Sequence, residues 1–561
     1  MSKIDFLGFG GLDEKQNPCY SLTIDGDIYI LNCGISLPTS TSLGIKKIIP
    51  DYSWIINNKN AIKGIFIGNA TYINFGGLQY LYRLLPNIPI YTNDISASII
   101  ITYFKNLFYN TNNNLNLNIR VLEPMKANQI GKASVIMFKV SSYTPHSTGF
   151  VFNTKDGAII YIDDFVLNSS IGDLFPNDYL KVAQAFSTRC LALIVGSGLV
   201  GESTGFTYPN AHIIKYFIGI LQEHIDSRVL VSCYDFEIYR MLSLISACAS
   251  MGRPICIYGK NFFYTFKHLQ ETKKLFIKNL KIINDSQLEQ NPNAVVLIVD
   301  SLEKYFVKLQ KIINGEDPKV QLQETDNFVY ANNTLFGYEK AEANLIDNLY
   351  RSNINQIYKL PKTILPLKAS NEDHKFIINC FKPKYIIPVS GLHMSFEAYK
   401  KCAWSMGINK NSVLVLDNGD KVTFENTQLL PTKKFIKLTP QFINSQGSLD
   451  GETSSMFERD QMKETGVVLA NLLLSNQTKQ IIKFNFDAVG VLNITDQIKE
   501  TLSKLNEEFV KSLNEYAKTQ LEAKTFDVKE YKLFVRKIVG KQFDKKFNKK
   551  PLVITTIIFS K

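Results

Sequence analysis

One rhythm constrains this chain more than anything else in it. From the start to about residue 430, short apolar runs bounded by Gly, Asn or Asp alternate with longer stretches of helical period. Residues 20–24, 28–31, 136–140, 150–152, 158–162 and 191–195 read as strands of a first unit that ends near residue 215. Residues 216–360 repeat the rhythm, with a helix over 235–251 and strands at 255–258 and 294–299. Residues 375–430 return to the pattern of the first unit, with a helix at 376–381, a strand within 382–389, another helix, and a strand at 412–416. Alternating β and α elements favour layered α/β sheets over an all-β or all-α chain, because each apolar sheet face needs a covering layer. At 561 residues the chain is too long for one core, so two to four domains are expected.

The polar segment 444–455 reads as a linker, and a compact α+β unit follows it. Ile498, Leu502, Leu505, Phe509, Leu513 and Tyr516 recur at three- and four-residue spacing on one helix face, with Thr495 as the expected N-cap. Tyr531, Phe534, Val535 and Ile538 repeat the pattern, and Pro551 separates that helix from a β-branched strand at 552–559. Such stripes mark core or a dimer interface. The formal net charge is +12, and residues 501–561 alone hold 14 Lys/Arg against 7 Asp/Glu. A basic terminal module suits an RNA-facing surface, though a solvated lysine-rich face gives the same totals.

Hydrophobic residues at 45% and charged residues at 20% are ordinary for a soluble globular protein. No apolar run reaches the roughly 18 residues of a membrane span, and the first residues lack a signal-peptide pattern, so a cytoplasmic location is expected. The eight cysteines are scattered without a C-x-x-C pair and sit in apolar contexts, which predicts buried free thiols.

A set of landmarks in fixed order then carries a resemblance. Residues 10–17 read GGLDEKQN, 28–34 read IYILNCG, 43–51 read LGIKKIIPD and 64–77 read GIFIGNATYINFGG. YIDDF at 161–165, GFTYP at 205–209, KPKYIIPVSG at 382–391, LDNGD at 416–420 and the basic end NKKPLVI at 548–554 follow. In this order they resemble ribonuclease J, a family of metallo-β-lactamase/β-CASP nucleases, over essentially the whole chain. The resemblance implies an α/β fold: a metallo-β-lactamase αββα sandwich with an inserted β-CASP α/β domain and a small α+β C-terminal domain. The implied boundaries are 1–215 and 366–443 for the two parts of the metallo-β-lactamase-like domain and 216–365 for the β-CASP-like domain. A linker at 444–456 and a basic oligomerisation domain at 457–561 complete them.

Carried over position by position, the family's metal ligands are nearly all replaced. The Asp near residue 30 is Asn32. The H-x-H-x-D-H motif reads Asn69, Thr71, Ile73 and Asn74. The next ligand His is Ser142, the Asp of S-D-S-T-N is Ser197, and the last ligand His is Ser390. The H-V-S-G-H-A loop reads ILPLKA, with Lys368 in place of a histidine. Asp164, in IDDF, is the one retained family ligand and the only candidate metal residue from the motif. A dinuclear centre needs imidazole and carboxylate donors, so loss of two-metal hydrolysis is expected, with no catalytic residue assigned and no cofactor. The alternative, an active exo- or endoribonuclease using zinc or manganese, needs a rebuilt site, for which His146, His393, Cys33, Asp163 and Asp164 are the available groups. No Ser/His/Asp or Cys/His arrangement stands out for metal-free hydrolysis.

On the substrate side, Lys368 and Tyr234 are the candidate RNA-binding residues. Asp235 and Glu237, in the loop that resembles the family's phosphate loop, would repel phosphate. The implied function is a ribonuclease J-like protein of RNA processing or decay, catalytically deficient and acting as an RNA-binding or scaffold subunit. Its implied partners are RNA and either an active paralogue or itself, with no membrane and no DNA. A ribosome-associated structural protein is the remaining reading.

Overall fold

Strands whose residues are buried on both faces must be covered on both sides, and two neighbouring strands of one sheet show that burial. In the computed structural model every residue of Gly157–Ile162 and Cys190–Gly196 is buried. The structure describes residues 2–38, 44–107, 116–167, 174–207, 211–431, 433–449, 453–492, 496–522 and 526–560. They form two units, Met1–Ser448 and Leu449–Lys561.

In the first unit, one sheet runs in the order 428–429, 420–425, 3–10, 19–24, 27–31, 62–66, 90–92, 119–121, with 433–434 also paired to 420–425. The second runs 385–389, 190–196, 157–162, 148–154, 133–139, 127–130. Their facing side chains share one core that includes Phe6, Tyr29, Phe66, Met137, Phe150, Phe152, Ile194 and Ile387. Phe66 meets Phe150 and Phe152 edge-on at 5.4 and 5.2 Å, a favoured aromatic geometry. Outside the first sheet, Leu78, Leu81 and Ile100 of helices Leu78–Leu84 and Asp94–Leu107 pack on Ile30 and Ile65. Outside the second, helices Tyr179–Phe186, Asn371–Phe381 and His393–Trp404 place Val182, Ile377, Phe381 and Tyr399 against Ile160, Leu193 and Ile386. This is the expected αββα sandwich.

A third sheet lies between the strands Cys190–Gly196 and Tyr385–Val389 in sequence, and those two pair in parallel. Its six strands, ordered 282–283, 255–258, 295–300, 229–234, 327–330, 356–359, are all parallel. Helices Ala211–Glu223, Ile238–Ser250 and Lys260–Glu271 cover one face, helices Leu302–Ile313 and Glu339–Arg351 the other. Buried Arg228 ties two of its strands at their starts, donating from Nε and Nη2 to the two carboxylate oxygens of Asp326 at 2.7 and 2.6 Å.

The second unit is a three-stranded sheet, Ile481–Val489, Val467–Leu474 and Leu552–Phe559, with the long helices Asp496–Glu522 and Val528–Phe547 packed on one face. Phe509, Leu513, Tyr531, Val535 and Phe543 fill that interface. Thr495, the expected N-cap, lies outside the described residues.

Three local expectations change. Residues 412–416 form a single bridge, Val413 to Ile386, rather than a strand, because the neighbouring sheet ends there. Within the 64–77 motif, Tyr72–Phe75 forms a short helix where the apolar strand is expected to give way to irregular chain. A helix, Thr453–Thr465, begins within the stretch expected as a linker. All eight cysteines are free, seven of them buried. Among the described residues no helix is long and apolar enough to cross a membrane.

Candidate functional site

Five strands of the sandwich end at one place, and the positions singled out from the motifs lie just past those ends. Asn32 follows Asp27–Leu31, Asn69 to Asn74 follow Ile62–Phe66, Asp163 and Asp164 follow Gly157–Ile162, Ser197 follows Cys190–Gly196, and Ser390 follows Tyr385–Val389. Asn32 and Ser390 adopt left-handed backbone angles, φ 57° and 54°. Asn tolerates that region, whereas a serine there is unusual and is held by its surroundings. The Ser390 N–H donates to Gly11 O at 2.7 Å.

The centre of the cluster is Asp163, 5% exposed. Its Oδ2 accepts from Asn74 Nδ2 at 2.6 Å and from Asn32 Nδ2 at 3.1 Å, and its Oδ1 accepts from the Ser390 hydroxyl at 3.0 Å. Asn69 completes the network: its Oδ1 accepts from Thr71 N, Thr71 Oγ1 and Asn74 Nδ2 at 3.1, 2.8 and 2.8 Å. Burial, and then the neighbouring Asp164, push the Asp163 carboxyl above its usual range, against the Ser390 hydrogen bond, Lys368 and Asn74. Asn32 Oδ1 and Ser142 Oγ are buried with no partner among the described residues, capacity that a bound water can use.

Asp164 faces the other way, 3.5 Å from the Lys368 ammonium. Burial lowers the Lys368 pKa, but Asp164 and then Asp163 raise it by more, so the ammonium is held charged. Asp163 is thus the functional position that motif reading undervalues; its only signal is the Asp-Asp pair at the strand end. The cavity over the cluster holds about 260 Å³, and Asp164, Lys368, Ser390, Phe236, Leu302 and Phe336 are among its lining residues.

The groups available for a rebuilt metal site do not converge. His146 Nδ1 is 3.1 Å from Asp94, His393 faces Asp417 at 3.9 Å on the surface, and buried Cys33 lies 3.5 Å from the Tyr52 hydroxyl. Among the described residues no three His, Cys, Asp or Glu side chains gather as a ligand cluster.

The family-implied pair of divalent cations can be tested against this donor set. Such ions need lone pairs from imidazole and carboxylate. Here Asn32, Asn74 and Ser390 turn N–H and O–H groups toward Asp163, and Lys368 adds an ammonium. A cation entering the cluster would meet protons. Asn69 Oδ1 is already shared by three donors, and Ile73 has no donor atom. The residues do not fit a two-cation centre.

The RNA-side positions divide. Lys368 keeps 28% of its side chain exposed at the cavity. Tyr234 is 1% exposed, its hydroxyl 3.2 Å from that of Tyr330 and its ring stacked on Phe236 at 5.4 Å. Its ring belongs to the core, since its strand is covered on both faces, and offers no open surface to a base. Glu237 is buried 3.5 Å from Arg240, and burial raises its pKa against the pull of Arg240 and Lys368. Asp235 is pushed up to about 7, by burial and then by Asp300.

Comparison with known proteins gives a consistent picture. The family model for the ribonuclease J β-CASP domain matches residues 226–349. An uncharacterized protein of Mycoplasma genitalium, MG423, is 34% identical over the full length of both chains. Ribonuclease J2 of Bacillus subtilis is 24% identical over 85% of each chain, and a ribonuclease J 2 of Staphylococcus aureus 22% identical over 99% of this chain and 98% of its own. A crystal structure of a protein of unknown function from Enterococcus faecalis V583 superposes with a TM-score of 0.54 at 12% identity, covering 75% of this chain and all of the other. That last likeness is one of fold.

Proposed function

This chain belongs to the ribonuclease J family, and we propose that it serves RNA processing or decay as a catalytically deficient RNA-binding or scaffold subunit. It assembles with an active ribonuclease J paralogue or with itself. The observation that carries this reading is the reversed polarity of the cluster around Asp163, where hydrogen-bond donors stand at positions that hold metal ligands in the family. Two-metal phosphodiester hydrolysis relies on the ions to lower the pKa of a water and to stabilise the leaving oxygen. Asp163 and Asp164 cannot supply either effect, because one is enclosed by donors and the other is matched to Lys368.

Assembly is supported by the tail. Its sheet has helices on one face, while Val489, Ile554 and Ile558 of the strands are 62%, 39% and 60% exposed. The basic residues of 501–561 suit contact with an anionic strand.

The test is elemental analysis of the purified full chain together with an RNA-decay assay. The expected result is far less than one mole of zinc or manganese per chain, intact 5′-monophosphorylated RNA, and recovery of a paralogous nuclease or of a homo-oligomer. Stoichiometric metal with turnover of that RNA would replace this reading by that of an active enzyme.

A further inference from the structure

A second cavity, larger than the one over Asp163, lies elsewhere in the first unit. It holds about 920 Å³, shares no lining residue with the other, and opens at the carboxyl ends of the third sheet's strands. That size is in the range of small-molecule sites.

Its place follows from topology. Strand Ile255–Tyr258 and strand Val295–Asp300 are neighbours. From the first the chain runs through helix Lys260–Glu271 toward one edge of the sheet; from the second it runs through helix Leu302–Ile313 toward the other edge. The two helices lie on opposite faces. A crevice therefore opens between adjacent strand ends where the winding direction reverses, the position at which open parallel sheets bind ligands. Gly259 makes the turn there, so close to the neighbouring strand that a Cβ would lie 2.6 Å from Val299 Cβ and 2.8 Å from its carbonyl oxygen. Only glycine lets the two strand ends approach this closely.

The chemistry of the crevice is cationic at its base and aromatic at its rim. Lys308, 17% exposed, bridges the two strand ends by donating to Tyr258 O at 2.8 Å and Val299 O at 3.1 Å, and its ammonium lies 4.2 Å from the Tyr258 ring centroid. Lys260 and Lys304 are exposed at the starts of the two helices, and Tyr264 is 43% exposed beside them. The lining lysines are five, against four carboxylates. Lys319 lies 2.6 Å from Asp285, Lys308 3.7 Å from Asp300 and Lys47 3.8 Å from Glu303, and Lys260 is not without a partner of its own, so the surplus is one of net charge. Asp235, the fourth acid, is half-buried beside Asp300, so its negative charge is disfavoured. Neither helix start has a side-chain cap, so their first N–H groups also face the crevice mouth.

We propose that this crevice binds a phosphorylated nucleoside, free or as one unit of an RNA strand. Lys260, Lys304 and the helix starts take the phosphate, and Tyr264 stacks on the base. The proposal does not rest on the state of the Asp163 cluster, whose cavity shares no lining residue with this one.

Isothermal titration of the full chain with adenosine 5′-monophosphate, inorganic phosphate and a 5′-hydroxyl hexaribonucleotide tests it. Two variants accompany the wild type: K260E/K304E and Y264A, both at exposed positions and each checked by its melting temperature. The expected result is saturable one-to-one binding of the monophosphate or the hexamer, weakened at least tenfold by K260E/K304E. Y264A is expected to weaken the nucleotide but leave inorganic phosphate unchanged. Binding of the monophosphate identifies a free nucleotide as the occupant; binding of the hexamer alone identifies a strand. Equal affinity of wild type and K260E/K304E for both, or no binding of either by the wild type, overturns the proposal. Neither outcome changes with metal content, so failure here is distinct from failure of the proposed role in RNA decay.

Discussion

Asp163 is the residue on which the candidate site turns. A carboxylate that is 5% exposed persists only if its oxygens are satisfied, and two amides and a hydroxyl satisfy them. Replacing it by alanine strands those three donors in a buried pocket, so Asp163→Ala is expected to destabilise the chain by about 2–4 kcal/mol. Asp164→Ala removes one partner of a partly exposed pair and should cost about 1 kcal/mol or less. Urea unfolding of both variants checks the ranking, and equal losses would refute it. Motif reading assigns the ligand position to Asp164, and the reason it passes over Asp163 is physical. Strand periodicity says which residues face inward only while the strand lasts. Here the strand stops at Ile162, so nothing in the pattern decides which of two consecutive aspartates points into the cluster. The substitutions themselves are legible, since Asn32, Asn69, Asn74 and Ser390 do meet around one point.

At the scale of elements, the parallel third sheet depends on ties at its strand starts as well as on its apolar faces. Arg228 and Asp326 form a two-bond pair at the start of Val229–Tyr234 and Asn327–Tyr330, with Asp326 fully buried. Breaking such a pair from one side leaves an uncompensated charge, and Asp326→Ala is expected to cost about 3–5 kcal/mol. Arg228→Met combined with Asp326→Leu should recover much of that loss, which chemical denaturation of the single and double variants measures. Of this sheet the sequence shows strands 255–258 and 295–300 and helix 238–250, whose apolar runs are cleanly bounded, but not its other strands and helices. Tyr234 is harder. An aromatic residue at a strand end is equally compatible with a stacking platform and with core, and only the helices on both faces decide for core. Residues 412–416 have strand composition but a single bridging partner at Val413, and pairing is a property of the neighbour, not of the run itself.

For the whole molecule, the division at Ser448/Leu449 means that the tail has a core of its own, with Phe484, Phe509, Leu513, Tyr531 and Phe543 buried together. Residues 449–561 expressed alone should therefore melt cooperatively by circular dichroism. A broad, non-cooperative melt would show that the tail depends on the rest of the chain. The wide α/β organisation is visible in the alternation of the sequence, whereas the crevice between the 255–258 and 295–300 strands is not, since it arises from the spatial order of strands that are not consecutive. The placement of the donor-lined cluster just beyond five strand ends has a further consequence. Those positions lie past the strand ends rather than within the strands, so they can change while the apolar runs of both sheets stay as they are. Fold or percentage identity alone therefore does not separate chains that keep the family's ligand residues at this place from chains that do not. Residues 32, 69, 71, 73, 74, 142, 197, 368 and 390 make that distinction, and restoring the family's ligand pattern there takes several exchanges at once.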